Sequence, residues 1–169
     1  LLDQLGFALD QEHQRCYDEL KKLYHGIELA NKIAENINLK NILIEPSQIW
    51  DGGYVICGAV GTGDMFVLRD SNGIRPAFYY YDDEIVVVAS ERPVIQTTMN
   101  VRITDVKELT PGSAIFVNKD GDIEITDLLG EKKNEKCSFG RIYISRGNDK
   151  DIYIYAVSRS IVDKLIERL

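Results

Sequence analysis

The chain of 169 residues is poor in the residues that carry most metal and redox chemistry. It holds three cysteines, Cys16, Cys57 and Cys137, and two histidines, His13 and His25. The cysteines are far apart, odd in number and free of any CxxC, which fits a reducing cytoplasm better than a disulfide framework. Both histidines fall in the N-terminal third, so a self-contained zinc site is not expected. No apolar run approaches the ~20 residues that a membrane span needs. No basic surplus exists: 20 Lys and Arg stand against 27 Asp and Glu, for a net charge of −7. That balance argues against nucleic-acid and anionic-membrane partners, which need a basic footprint. Neither GxxxxGK[ST] nor GxGxxG occurs, so no phosphate loop is offered. No basic n-region followed by an apolar h-region opens the chain, so nothing suggests secretion. The first residue is Leu1, and an apolar pattern is already running there without a helix cap; the expectation is a piece of a longer protein.

What is present is ordinary for a globular domain: 44% hydrophobic and 28% charged residues, in a chain long enough to bury a core. Apolar positions at Leu2, Leu5, Phe7, Leu9, Tyr17, Leu20, Leu23 and Tyr24 predict helix, broken near Asp10 to Gln14. Ile27, Ala30, Ile33, Ala34 and Ile37 form a second helical face ending near Asn38. A third short helix is expected over Asn41 to Ile44, stopped before Pro46.

The period changes at Tyr54. Tyr54 to Val60 is an apolar run, the pattern of a strand covered on both faces. After a turn at Gly61 to Asp64, Met65 to Leu68 returns. Further strands are expected over Ala77 to Tyr81 and Ile85 to Ala89, with a short helix or loop beginning at Arg92-Pro93. Val101 to Asp105 and Glu108 to Leu109 bracket a turn at Thr110-Pro111-Gly112. Ser113 to Asn118 and Ile123 to Thr126 form a hairpin around Asp120-Gly121. Residues 129–136 are a charged loop, Phe139 to Ser145 a strand, and Tyr153 to Leu169 a last helix. Helices, then antiparallel hairpins, then a helix make an α+β chain rather than alternating βαβ units.

Two polar groups stand out. In Arg69-Asp70-Ser71-Asn72-Gly73-Ile74-Arg75-Pro76, one reading is a plain turn in which Asp70 caps, Gly73 takes the left-handed position and Arg69 pairs with a carboxylate; the other is a turn that positions a site-lining wall, and spacing alone does not decide between them. In Ala89-Ser90-Glu91, Ser90 caps the following helix and Glu91 pairs with Arg69 or Arg75. Gly52-Gly53 reads as a bend. Each cysteine reads as a small buried hydrophobe. No Cys–His nucleophile pair is visible.

In this order, WDGGYVICGAVG, FVLRDSNGIRPAFYY, VVVASERPVIQT, LTPGSAIFV and CSFGRIYISRGNDKDIY resemble the amidophosphoribosyltransferase family. RD-x-x-G-I-R-P followed by ASE is a pattern of class-II glutamine amidotransferases generally, asparagine synthetases included. The Cys137 to Gly147 block resembles the segment that leads into the phosphoribosyl branch.

The resemblance implies an N-terminal-nucleophile fold, two stacked antiparallel sheets between helices (αββα), here incomplete. It divides the chain into helices over 1–49, the β-rich half of a glutaminase domain over 50–147, and the start of a linker helix over 148–169. It implies glutamine and phosphoribosyl pyrophosphate as substrates of the parent protein, Mg²⁺ in its transferase domain, a cytoplasmic location and a homo-oligomer. In the family an N-terminal Cys attacks the glutamine amide, and an Asn-Gly pair holds the oxyanion.

Here residue 1 is Leu, and no His-Asn-Gly or Arg-Gly-Pro-Asp segment occurs. Tyr155 and Arg159 fit the family's linker pattern, but Asp163 stands where Gly is usual. Arg69, Asp70, Gly73, Ser90 and Glu91 match positions that support the glutamine site from below, and no residue of this chain is assigned a catalytic role. Cys137 matches a position that in some members ligates an iron–sulfur cluster; members without the cluster also carry Cys there, and no metal is expected in this chain. The expectation is a glutaminase fragment inactive by itself, self-associating through an uncovered apolar face. The alternatives are an amidotransferase with another acceptor, of the asparagine synthetase or glucosamine-6-phosphate synthase kind, or a non-catalytic binding domain.

Overall fold

A computed structural model describes residues 2–130, 132, 163, 164 and 166. Among them the elements run α1 (Leu2–Leu20), α2 (Gly26–Asn36), α3 (Leu39–Ser47), β1 (Val55–Ala59), β2 (Met65–Arg69), β3 (Phe78–Tyr81), β4 (Val86–Ala89), α4 (Arg92–Met99), β5 (Lys107–Glu108), β6 (Ser113–Val117) and β7 (Ile123–Asp127). Asp163, Lys164 and Ile166 are helical. Cys137, the strand expected at Phe139 to Ser145, and most of the C-terminal helix, with Tyr155 and Arg159, lie outside the described residues.

The strands form two antiparallel sheets, ordered β1-β2-β6-β7 and β4-β3-β5. The two-residue period of each strand sorts its side chains into three cores. Phe66, Leu68, Ala114 and Phe116 point from β2 and β6 to Ala8, Leu39, Ile42 and Leu43 on the helices. Their strand neighbours Val67, Ile115 and Val117 point the other way, to Tyr79, Ala77, Leu109 and Val88. On the far side of the second sheet, Phe78 packs with Ile95 of α4 and Val106. The layers are therefore α1–α3, first sheet, second sheet, α4: the expected αββα sandwich of an α+β domain. The Asp120-Gly121 hairpin is formed as expected, with Ser113 paired to Asp127 and Val117 to Ile123.

Four local expectations are corrected. The α1 helix is continuous through Asp10 to Gln14. The stretch stays helical because Glu12 faces inward with Ala8 and Cys16, one helical turn apart, rather than toward water. The α3 helix runs past Ile44 and contains Pro46 in its last turn. Pro46 cannot donate to the preceding turn, and there the Ser47 hydroxyl donates back to the Leu43 carbonyl at 2.5 Å and the Ile44 carbonyl at 3.0 Å. The β1 strand is not covered on both faces: it is an edge strand, and Cys57 at its centre is exposed. Cys16, by contrast, is fully buried as expected.

Candidate site at the end of the sandwich

The octet singled out in the sequence folds into a polar knot at one end of the sandwich. Arg69 closes β2, and its side chain is buried. A guanidinium out of water needs acceptors for its five N–H groups. Arg69 finds them on two segments, the 73–75 turn and the end of β5. Its Nε donates to the Arg75 carbonyl at 2.8 Å and its Nη2 to the Gly73 carbonyl at 3.2 Å. Its Nη1 donates to the Leu109 carbonyl and to the Glu108 carboxylate, the latter at 3.0 Å. Arg69 thus joins the last residue of β2 to β5, which belongs to the other sheet.

Asp70 is equally buried. Its carboxylate accepts from the Ile74 amide at 3.0 Å and the Arg75 amide at 3.2 Å. Its carbonyl accepts from the amides of Gly73 and Gly112. One residue therefore holds the turn closed and ties it to the link between β5 and β6. Gly73 sits at φ 64°, the left-handed conformation expected. A Cβ there would also stand 2.6 Å from Cγ of Pro111. Gly53 approaches the same turn from β1's side: a Cβ on it would lie 2.5 Å from Cγ2 of Ile74. The double glycine thus serves both as a bend, with Gly52 at φ 89°, and as a close approach. Burial first, and the nearby Asp70 charge second, push the Tyr54 phenol up from its ordinary pKa.

The structure brings Arg69, Asp70 and Gly73 together and leaves Ser90 and Glu91 outside the knot. Ser90 is exposed at the end of β4. The residue that caps α4 is Glu91, with extended backbone and no side-chain cap bond. The cap falls there because Pro93, which lacks an N–H, occupies the first turn and sets the helix start at Arg92. Glu91 forms no ion pair with Arg69 or Arg75 among the described residues; the carboxylate beside Arg69 is Glu108. The reason is strand order. Phe78 of β3 lies between Ala89 of β4 and Glu108 of β5, and it is β5, through the short link at 109–112, that reaches β2.

Glu108, Pro111 and Gly112 were read only as a strand end and a turn, not as members of the knot, since nothing local there announces a partner 39 residues upstream. Glu12 escaped it too, although Ala8, Glu12 and Cys16 at four-residue spacing were a signal. The Glu12 carboxylate receives Arg15 at 2.7 and 2.9 Å, the Asn38 amide at 2.9 Å and the Asn41 amide at 3.1 Å. It so fastens α1 to the start of α3. The Arg15 bond, above all, holds its pKa down at about 2.

The knot is a brace in its chemistry. The Arg69 guanidinium and the Asp70 carboxylate are both engaged by partners inside the protein. Among the described residues no three His, Cys, Asp or Glu gather as a metal site. Cys16 donates to the Asn36 carbonyl at 3.4 Å beneath α1, and desolvation pushes its thiol pKa up, away from the thiolate. A groove of about 710 Å³ lies at the opposite end of the first sheet, between the α2–α3 junction and the two hairpin tips, with Lys40, Asp64 and Glu124 on its walls. Arg69, Asp70, Gly73, Ser90 and Glu91 are not among its lining residues. Among the described residues no helix is long and apolar enough to cross a membrane.

Comparison with known proteins agrees with this architecture. The amidophosphoribosyltransferase of Pseudomonas aeruginosa is 22% identical over 124 residues, 70% of this chain and 24% of its own length. The glutamine phosphoribosylpyrophosphate amidotransferase of B. subtilis, solved with ADP and GMP, superposes with a TM-score of 0.51 at 22% identity, covering 82% of this chain and 30% of that one. This chain therefore spans about a quarter of the length of the curated relative it matches. The structural likeness establishes the shared N-terminal-nucleophile sandwich. Residues 25–139, more than half the chain, match the family Glutamine amidotransferases class-II, and the chain belongs to that family.

Proposed function

We propose that this chain is the scaffold half of the glutaminase domain of an amidophosphoribosyltransferase, an enzyme that moves the amide nitrogen of glutamine onto phosphoribosyl pyrophosphate to give phosphoribosylamine. The observation that carries the reading is the ordered run of matching segments from Trp50 to Tyr153 in a chain of the class-II family. The name of the Pseudomonas relative and the fold of the B. subtilis enzyme support the same branch.

In this reading Arg69, Asp70 and Gly73 brace the floor of the glutamine site, while Ser90 and Glu91 stand at the same end of the second sheet. The reacting groups come from elsewhere in the parent protein, and the chain alone does not turn over glutamine. A thiol nucleophile needs a base within hydrogen-bond reach. Cys16 is sealed beneath α1, and Cys57 hydrogen-bonds to no base among the described residues. Mg²⁺, in this account, serves the phosphoribosyl half of the parent.

The parent coding sequence tests the assignment. The expected result is a Cys codon after the initiator Met with a His-Asn-Gly segment upstream, and a phosphoribosyl-pyrophosphate loop downstream. An ATP-pyrophosphatase or sugar-isomerase domain downstream would move the chain to another acceptor. Absence of the upstream Cys would make it a non-catalytic member.

A further inference from the structure

Two turns of the same kind meet at Gly112. Asp70-Ser71-Asn72-Gly73 follows β2, and Asp127-Leu128-Leu129-Gly130 begins at the last residue of β7. In such a stretch the Asp carboxylate can take an amide a few residues on, while the Gly adopts the left-handed backbone. Asp127 takes the Gly130 amide at 2.8 Å. Asp70 reaches slightly further, to the amides of Ile74 and Arg75. Asp127 is exposed, at the end of an edge strand.

A single residue joins the two turns. The Gly112 amide donates to the Asp70 carbonyl at 3.0 Å. The Gly112 carbonyl accepts from the Leu128 amide at 3.1 Å and the Leu129 amide at 2.9 Å. Both polar groups of Gly112 are therefore engaged, one with each turn. The approach is close enough to exclude a side chain, since a Cβ on Gly112 would strike the Gly130 carbonyl. One contact bypasses Gly112: the Lys132 amide donates to the Ser71 carbonyl at 2.9 Å. Leu128 and Leu129 also pack against the core between the helices and the first sheet. The second turn is thus a strap, held to the core by its leucines and to the knot by Gly112. Its release would leave the Gly112 carbonyl without those two donors, and such groups are seldom left unmatched away from water.

We infer that residues 127–130 are a latch on the knot, and that strap and knot open and close as one unit. Seated, the strap holds Gly112 against Asp70 and keeps the 73–75 turn closed over the Asp70 carboxylate. Released, it frees the Gly112 carbonyl and weakens the hold of the Gly112 amide on Asp70. Local openings in folded proteins are cooperative over such contiguous units. The coupling is reciprocal: the factor by which strap release favours knot opening is the factor by which knot opening favours strap release. The strap is thereby a handle on the brace, and its displacement reaches Asp70 without any contact to the carboxylate. The inference rests on bonds within the chain and is independent of the proposed reaction.

Amide hydrogen exchange of the 169-residue chain, resolved by residue with NMR, tests it in Asp127→Ala and Gly73→Ala. Asp127→Ala removes one exposed carboxylate and leaves every backbone donor and acceptor in place. The expected result is exchange about fivefold faster at the Leu128 and Leu129 amides, the effect of one net hydrogen bond. The Ile74 and Arg75 amides are expected to accelerate with them by a similar factor, while amides of the β2–β6 ladder keep their rates. Gly73→Ala opens the knot from its own side, and is expected to speed exchange at Leu128 and Leu129 relative to the same ladder. Asp127→Ala decides by itself should Gly73→Ala fail to fold. Unchanged exchange at Ile74 and Arg75 in Asp127→Ala means that the strap moves alone, and overturns the proposal. Equal acceleration of the ladder assigns the effect to global unfolding and overturns it as well.

Discussion

The Arg69 guanidinium lies 3.0 Å from the Glu108 carboxylate, joining the end of one sheet to the edge of the other. Glu108 is partly exposed while Arg69 is buried. The pair therefore combines a desolvated cation with a carboxylate that water still reaches. Most of the energy resides on the Arg69 side, where three carbonyls and one carboxylate depend on one donor group.

Replacement of Arg69 by Ala is predicted to cost about 3 kcal/mol, since removing one partner of a buried hydrogen-bonded charge leaves the others unsatisfied. Lysine at this position is predicted to recover only a minor part, because a compact ammonium cannot reproduce the planar fork. Urea unfolding, compared at constant slope, measures both. A Glu108→Gln change should cost less than half as much, and equal losses would contradict the asymmetry described.

Gly73→Ala carries two separable penalties. The left-handed backbone costs an alanine about 1 kcal/mol, and the new Cβ meets Pro111 at 2.6 Å. The single change is predicted to lower stability by about 2 kcal/mol. Adding Pro111→Ala is predicted to return the steric share and leave the backbone share. A double-mutant cycle reads the coupling; additive losses would show that Pro111 gives way freely.

Glu12 predicts a pH dependence. Its folded pKa of about 2 lies below its ordinary value of 4.5. A depressed carboxylate stabilises the fold fully above the unfolded value and loses that contribution as pH falls from about 5 toward 2. With half-exposed Arg15 as main partner, the contribution is about 2 kcal/mol after solvent screening. Glu12→Gln is predicted to flatten the stability curve over that window while lowering stability at pH 7. A curve parallel to wild type would show that Glu12 is not the group responsible.

The strand pattern was legible wherever burial alternates, as at Phe66, Val67 and Leu68, because water on neither face would tolerate the opposite register. The turn chemistry of Asp70 and Gly73 was legible for a local reason: a carboxylate four residues before an amide and a glycine at positive φ are written in eight consecutive residues. The partner of Arg69 was not. Glu91 lies just past β4 and Glu108 ends β5, and only the order β4-β3-β5 decides between them. At β1, small apolar residues on an edge read like a buried strand, since composition records hydrophobicity and not whether a neighbour is present. The unbroken α1 was missed because Glu12, a residue seldom buried, is satisfied by Asn38 and Asn41 from another helix.

The central claim is that the described residues brace a glutamine site without supplying its reacting groups. Glutamate release from glutamine by the purified chain tests it most directly, with Cys57→Ser as control. The predicted result is no release above the protein-free blank for either protein. Saturable glutamine turnover that Cys57→Ser abolishes would contradict the account and make the exposed thiol of β1 the nucleophile.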